Sequence, residues 1–301
     1  MFRLATALLL AASYALAQRT VFVAYGDMRF TDPKETQATN PKVRKWLVDK
    51  IASEKPTAIV ISGDVPYVGE RRSDYNEFHQ ETAAWRTANI PIFPALGNHE
   101  LRGDLAKCLE NWWTEFPQLR GKRWYMSEVG PRIVALNLDS ALPLTLGSSQ
   151  IKWVEQQLVD LQKPVRFVVF NLHHPPVADI ETGENASHNP RPNEIALADY
   201  LKTAPQSKRV RFIVNAGHIH NYERFFRDGT VYLVSGGGGA APVPVTRDSN
   251  DLYHDSAYPN YHYMRFELHG KRLNVEMIRI ADPAADKPKW EVKDHFQISA
   301  P

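Results

Sequence analysis

Five short strings, each following a run of apolar and mostly β-branched residues, supply oxygen or nitrogen donors of the kind that bind metal ions. They are Gly26-Asp27, Gly63-Asp64-Val65-Pro66-Tyr67, Gly97-Asn98-His99-Glu100, His173-His174-Pro175-Pro176 and Gly217-His218-Ile219-His220. β-Branched runs of this length read as strands, and donors just past strand ends converge when those strands lie side by side. Five such ends at one edge of a sheet make a dinuclear metal site. The fold must therefore deliver five strand ends, spread over nearly two hundred residues, to one place.

The rest of the pattern agrees with that demand. Residues 20–25, 57–62, 90–96, 132–138, 165–170, 210–215 and 231–235 read as strands. Residues 43–53, 70–88, 104–116, 149–161 and 194–202 read as helices. Residues 263–268 and 273–280, joined across His269-Gly270-Lys271, read as a closing hairpin. Strand–helix alternation predicts a layered α/β fold, and the closing antiparallel strands exclude a purely parallel sheet. Two long loops, residues 175–193 and 236–261, are candidate functional segments.

Residues 1–17 carry one early arginine, an apolar stretch and Ala15-Leu16-Ala17. That is the pattern of a cleaved secretory signal, and the stretch is shorter than the ~20 residues a bilayer span needs. We expect a signal peptide over 1–17 and a single catalytic domain over 18–301, exported to a secreted or periplasmic location and left with no membrane anchor. Without the leader the chain has 35 basic and 34 acidic residues, which is not the charge balance of a nucleic-acid-binding protein. The single cysteine, Cys108, excludes an intrachain disulfide and reads as a buried apolar residue. Stability must come from a large core and bound metal.

Singly, the donors are ordinary. Gly-Asp pairs are common in turns, and a lone histidine is most often a packed or surface residue. The set is not ordinary. A carboxylate such as Asp64 can bridge two cations, Asn98 offers a neutral oxygen, and His218 and His220, two apart on an extended segment, point to one side. His99, next to Asn98, can act as a general acid.

In order and content these strings resemble the calcineurin-like metallophosphoesterases. Gly63-Asp64-Val65-Pro66-Tyr67 and the run GHIHNYER over 217–224 resemble the purple acid phosphatases among them. The resemblance implies a four-layer αββα sandwich, with two mixed sheets flanked by helices and the metal site at the carboxyl ends of the strands. It implies two metal ions, iron with iron, zinc or manganese, and a phosphate-ester substrate. Asp64 would bridge both ions, Asp27, Tyr67 and His220 would complete the first position, and Asn98, His173 and His218 the second. His99 would hold the phosphate or protonate the leaving group. His174 lies behind the ligands or joins His99, Arg29 and His188 among the groups that meet substrate. Glu100 and Glu223 are expected to orient neighbouring histidines, and Arg191 to accompany His188.

The implied reaction is hydrolysis of phosphomonoesters by a metal-activated water. The same core serves phosphodiesterases. The reading from a different class is a non-catalytic binding protein with a degraded first metal position. One departure bears on that choice. Purple acid phosphatases have Asp-x-Gly at the first string, and here it is Asp27-Met28-Arg29. Arg29 either forks onto a phosphate or turns away to pair with an acid such as Asp32; inside the first position, its charge would disfavour a second cation.

Overall fold

The structure is a computed structural model that describes residues 20–301. The expected leader over 1–17 lies outside the described residues.

The strands are β1 (Val21–Tyr25), β2 (Ala58–Ile61), β3 (Ile92–Pro94), β4 (Tyr125–Gly130), β5 (Ile133–Asn137), β6 (Phe167–Asn171), β7 (Arg211–Ala216), β8 (Tyr222–Arg227), β9 (Thr230–Ser235), β10 (His262–His269), β11 (Arg272–Ile280) and β12 (Trp290–Ser299). The α-helices are α1 (Pro41–Glu54), α2 (Arg72–Glu81), α3 (Ala83–Thr87), α4 (Leu105–Glu115), α5 (Ser149–Val159) and α6 (Pro192–Thr203). Helix starts follow local chemistry. Asn40, Asp104 and Ser148 each accept a hydrogen bond from the backbone N–H three residues on, and Pro41 sits in the first turn of α1.

The strands form two six-stranded mixed sheets, ordered β12-β11-β10-β1-β2-β3 and β4-β5-β6-β7-β9-β8. In the first, β1, β2 and β3 are parallel and the C-terminal strands antiparallel; in the second, β5, β6, β7 and β9 are parallel and the edge strands β4 and β8 antiparallel. Side chains alternate along each strand, so β1 serves two cores. Val23 and Tyr25 pack under α1–α4 with Leu47, Phe78 and Trp85. Phe22 and Ala24 face the other sheet, against Phe167, Val169 and Ile213. The far side of the second sheet packs on α5 and α6 through Ile151, Val154 and Leu201. The result is the four-layer sandwich. Each fully buried residue of this size stabilises it by about 1.5–3 kcal/mol.

Four elements depart from expectation. The helix expected over 70–88 is interrupted at Thr82, whose φ/ψ of −93°/15° is not helical and whose hydroxyl donates to the Phe78 carbonyl. The bend lets Trp85 bury and donate from its indole to the Val48 carbonyl. Strands β4 and β12 are edge strands rich in polar residues, so no apolar run marks them; β12 turns the expected hairpin into a three-stranded meander. Strand β8 begins inside the GHIHNYER run, whose chemistry masked its β character.

Candidate metal centre

All five strings lie just beyond the carboxyl ends of parallel strands, three from one sheet (β1, β2, β3) and two from the other (β6, β7). The turns are tight. Asp27, Arg29, Asp64 and His218 have φ of 60°, 50°, 57° and 71°, a left-handed backbone that side chains adopt at a cost and that clusters at functional sites. The backbone is stitched across strings, Asp27 N to Gly63 O at 3.1 Å and Arg29 N to Asp64 O at 2.9 Å. Two glycines are required by close approach. A Cβ at Gly97 would stand 2.4 Å from Asp64 Oδ1, and one at Gly217 2.2 Å from Asp27 Oδ2.

Donor atoms converge in two groups, Asp27 with Asp64 and His220, and His173 with His174 and His218, each within 4.8 Å. Asp64 links them, with its Oδ1 3.3 Å from His173 Nε2. Asn98 Oδ1 lies 2.8 Å from His173 Nε2, and His218 Nδ1 lies 3.3 Å from the same atom. His220 Nε2 is 3.6 Å from Asp27 Oδ1. Tyr67 stacks its ring on His99, centroids 5.5 Å apart, with the Arg102 guanidinium 4.8 Å from its centre.

The donor set fits metal ions. His173 Nδ1 donates to the Ser62 carbonyl at 2.9 Å and His220 Nδ1 to the Ala241 carbonyl at 2.6 Å. Burial holds both imidazoles below their usual pKa, that of His220 at about 3, so both are neutral and carry a lone pair on Nε2. His173 Nε2, Asn98 Oδ1 and Asp64 Oδ1 are then three acceptors facing one another, and the buried His220 Nε2 has no hydrogen-bond partner. Burial, followed by the charge of Asp64, pushes the Asp27 carboxyl well up. Burial alone would raise Asp64 too, but the Arg29 guanidinium and the backbone N–H of His99 hold it below the usual range. Cations would pair with these acceptors, one among His173, His218, Asn98 and Asp64 and one among Asp27, Asp64 and His220.

The remaining expected residues divide. His99 donates from Nδ1 to the Tyr67 carbonyl (2.6 Å), placing Nε2 3.8 Å from Asp64 Oδ2. His174 pairs with Ser140 Oγ at 2.8 Å, its ring 4.3 Å from that of His218. His188 reaches the site from its long loop, ring centroid 5.3 Å from His218. Arg191 does not accompany it and is held by Glu194 and the Ser140 carbonyl. Arg29 enters the site, with Nη2 3.3 Å from Asp64 Oδ2, while Asp32 caps its own turn at Lys34 N. The two glutamates orient backbone rather than histidines. Glu100 accepts from the N–H groups of Asp64, Val65 and Gly97, and Glu223 from that of Asp179.

One functional feature was missed in the sequence. Asn137, Asn171 and Asn215 occupy matched positions on β5, β6 and β7 and form a buried amide ladder at 2.9 Å per step. Asn171 also donates to Ile61 O on the opposite sheet, tying the two sheets together beneath the site. The signal was present: residues 133–137, 167–171 and 211–215 each close an apolar run on asparagine.

Comparison with known proteins agrees with this geometry. The family model described as calcineurin-like phosphoesterase matches residues 22–222. The chain is 26% identical over 243 residues to a probable purple acid phosphatase 20 of Arabidopsis thaliana, covering 72% of this chain and 51% of that protein. It superimposes on a purple acid phosphatase, PPD1, from yellow lupin (Lupinus luteus) seeds with a TM-score of 0.72 at 19% identity, over 93% of this chain and 54% of the other. GAP50, described as the anchor in the inner membrane complex of Plasmodium, shares the fold at a TM-score of 0.61 and 16% identity, over 94% and 89% of the two chains. The chain spans about half the length of the two plant relatives. The family match, with its matched residues reaching from β1 into β8, places the chain among the calcineurin-like phosphoesterases.

Proposed function

We propose that this protein is an exported, metal-dependent phosphoric-ester hydrolase of purple acid phosphatase type that acts on monoesters. The observation carrying this reading is the cluster of facing acceptors, His173 Nε2, Asn98 Oδ1 and Asp64 Oδ1, at 2.8 and 3.3 Å. Such a cluster is unfavourable without a cation. Asp64, Asn98, His173 and His218 would hold one ion, and Asp27, Asp64, Tyr67 and His220 the other. Bound ions supply Lewis-acid charge for phosphate oxygens and make water a stronger acid.

The chain's own residues do the rest. The Ser62 and Ala241 carbonyls fix the tautomers of His173 and His220, and Glu100 fixes the loops that carry Asp64 and Asn98. His99, oriented by the Tyr67 carbonyl, presents Nε2 toward Asp64 and, as the imidazolium, delivers a proton to the departing oxygen. His188 lines the substrate side from its loop. Export is supported by the composition of residues 1–17; among the described residues, no helix is long and apolar enough to cross a membrane.

The test is hydrolysis of a chromogenic phosphomonoester beside the matching diester, from acid to neutral pH, with iron, zinc or manganese supplied. Monoester turnover lost in Asn98→Ala supports the reading. Diester preference would reassign the substrate, and no turnover with any of the metals would defeat the enzymatic reading.

A further inference from the structure

Two residues after the first ligand string the chain carries an arginine, and its position is fixed from both sides. Arg29 has φ of 50°, its N–H donates to the Asp64 carbonyl at 2.9 Å, and its own carbonyl accepts from Arg44 Nη1 at 3.4 Å. Arg44 is fully buried and forks onto Glu81 at 3.1 and 3.0 Å. From this anchored backbone the Arg29 guanidinium, 17% exposed, reaches Asp64 Oδ2 with Nε at 3.4 Å and Nη2 at 3.3 Å.

Asp64 is the carboxylate shared by the two donor groups. Its Oδ1 accepts from His99 N at 3.0 Å and faces His173. Its Oδ2 is the oxygen left for the Asp27–His220 group, and Arg29 holds it. A permanent positive charge at that distance occupies the lone pairs a second ion would use and repels the ion itself. On the other side, among the described residues, neither His173 nor Asn98 hydrogen-bonds to an arginine or lysine.

We propose that Arg29 is an internal cation that competes with one of the two metal ions for Asp64. The chain then takes a first ion tightly on the His173–His218 side. It takes a second on the Asp27–His220 side at least about tenfold more weakly, because that ion must displace the guanidinium. The inference rests on the reading of this donor cluster as a metal site, and not on which ester is cleaved.

The test is titration calorimetry of the chelator-stripped chain with Zn²⁺ and with Mn²⁺, with bound metal counted by elemental analysis. Wild type is compared with Arg29→Met, Arg29→Gly and Arg29→Lys. Wild type should show two affinities split tenfold or more. Met and Gly should tighten the second ion about tenfold or more and leave the first unchanged, while Lys, which keeps the charge, should retain most of the split. Glycine accepts the left-handed backbone, so it decides the matter where the Met variant fails to fold. Two ions of equal affinity in wild type, or a split unchanged in Met and Gly, would overturn the proposal and leave the metal site standing. No metal bound by any of the proteins would remove the metal reading and the proposal with it.

Discussion

Asn98 Oδ1 and His173 Nε2 lie 2.8 Å apart although neither carries a proton to share, because the His173 ring already donates from Nδ1 to Ser62. The two residues come from different sheets, so the fold itself brings together atoms that repel until a cation separates them. Asn98→Ala removes one of these donors. It should lower metal affinity about a hundredfold, at the upper end of what loss of a ligand's support costs, and hydrolysis should fall in parallel. Calorimetric titration of both proteins checks this.

Chelation should destabilise the fold. Without cations, Asp27 and Asp64 are buried carboxylates, and the charge of Asp64 raises the cost of ionising Asp27. Ions at a hundred times their dissociation constant add about 2.7 kcal/mol. Thermal unfolding with and without a chelator measures the difference, and a midpoint unmoved by chelator would contradict it.

Glu100 accepts three buried N–H groups, at 2.9, 2.7 and 2.7 Å, and so welds the second and third strings together. Glu100→Ala orphans all three. At about 1–3 kcal/mol for each, the loss should exceed about 3 kcal/mol, while Glu100→Gln, which keeps one acceptor oxygen, should cost less. Urea unfolding midpoints of the two variants give the comparison.

Asp179 supplies a pH dependence away from the metals. Burial, then the Asp251 carboxylate, pushes its carboxyl up to about 7, against the lowering effect of the Asp248 N–H and Arg247. The folded chain therefore holds a proton that the unfolded chain releases near pH 4. That contribution to stability is complete below about pH 4 and is lost as pH rises to about 7. Asp179→Asn should flatten the decline across this window. Unfolding midpoints from pH 4 to pH 8 test it, and parallel curves for the two proteins would count against it.

The strings themselves were legible because chemistry at a strand end leaves a local mark: an apolar run, in four of the five a glycine, then a donor. Residues 20–25 and 210–215 announced β1 and β7 in this way. Strands β4 and β12 were not legible, since an edge strand with one solvated face carries no continuous apolar run. Thr82 was not legible as a break either, because its hydroxyl bond to Phe78 is a local competition that periodicity does not record.

By itself the sequence determined which atoms are available to bind metal and, through the order of its strands, that they could meet. Only the tertiary structure decided how they meet. It placed Arg29 on Asp64 rather than Asp32, turned Glu100 onto the backbone rather than onto His99, and aligned three asparagines into a ladder under the site. Each of these depends on register between strands or on the direction of a side chain across a gap. Both are set by packing among residues distant in the chain, whereas a donor string is written in consecutive residues.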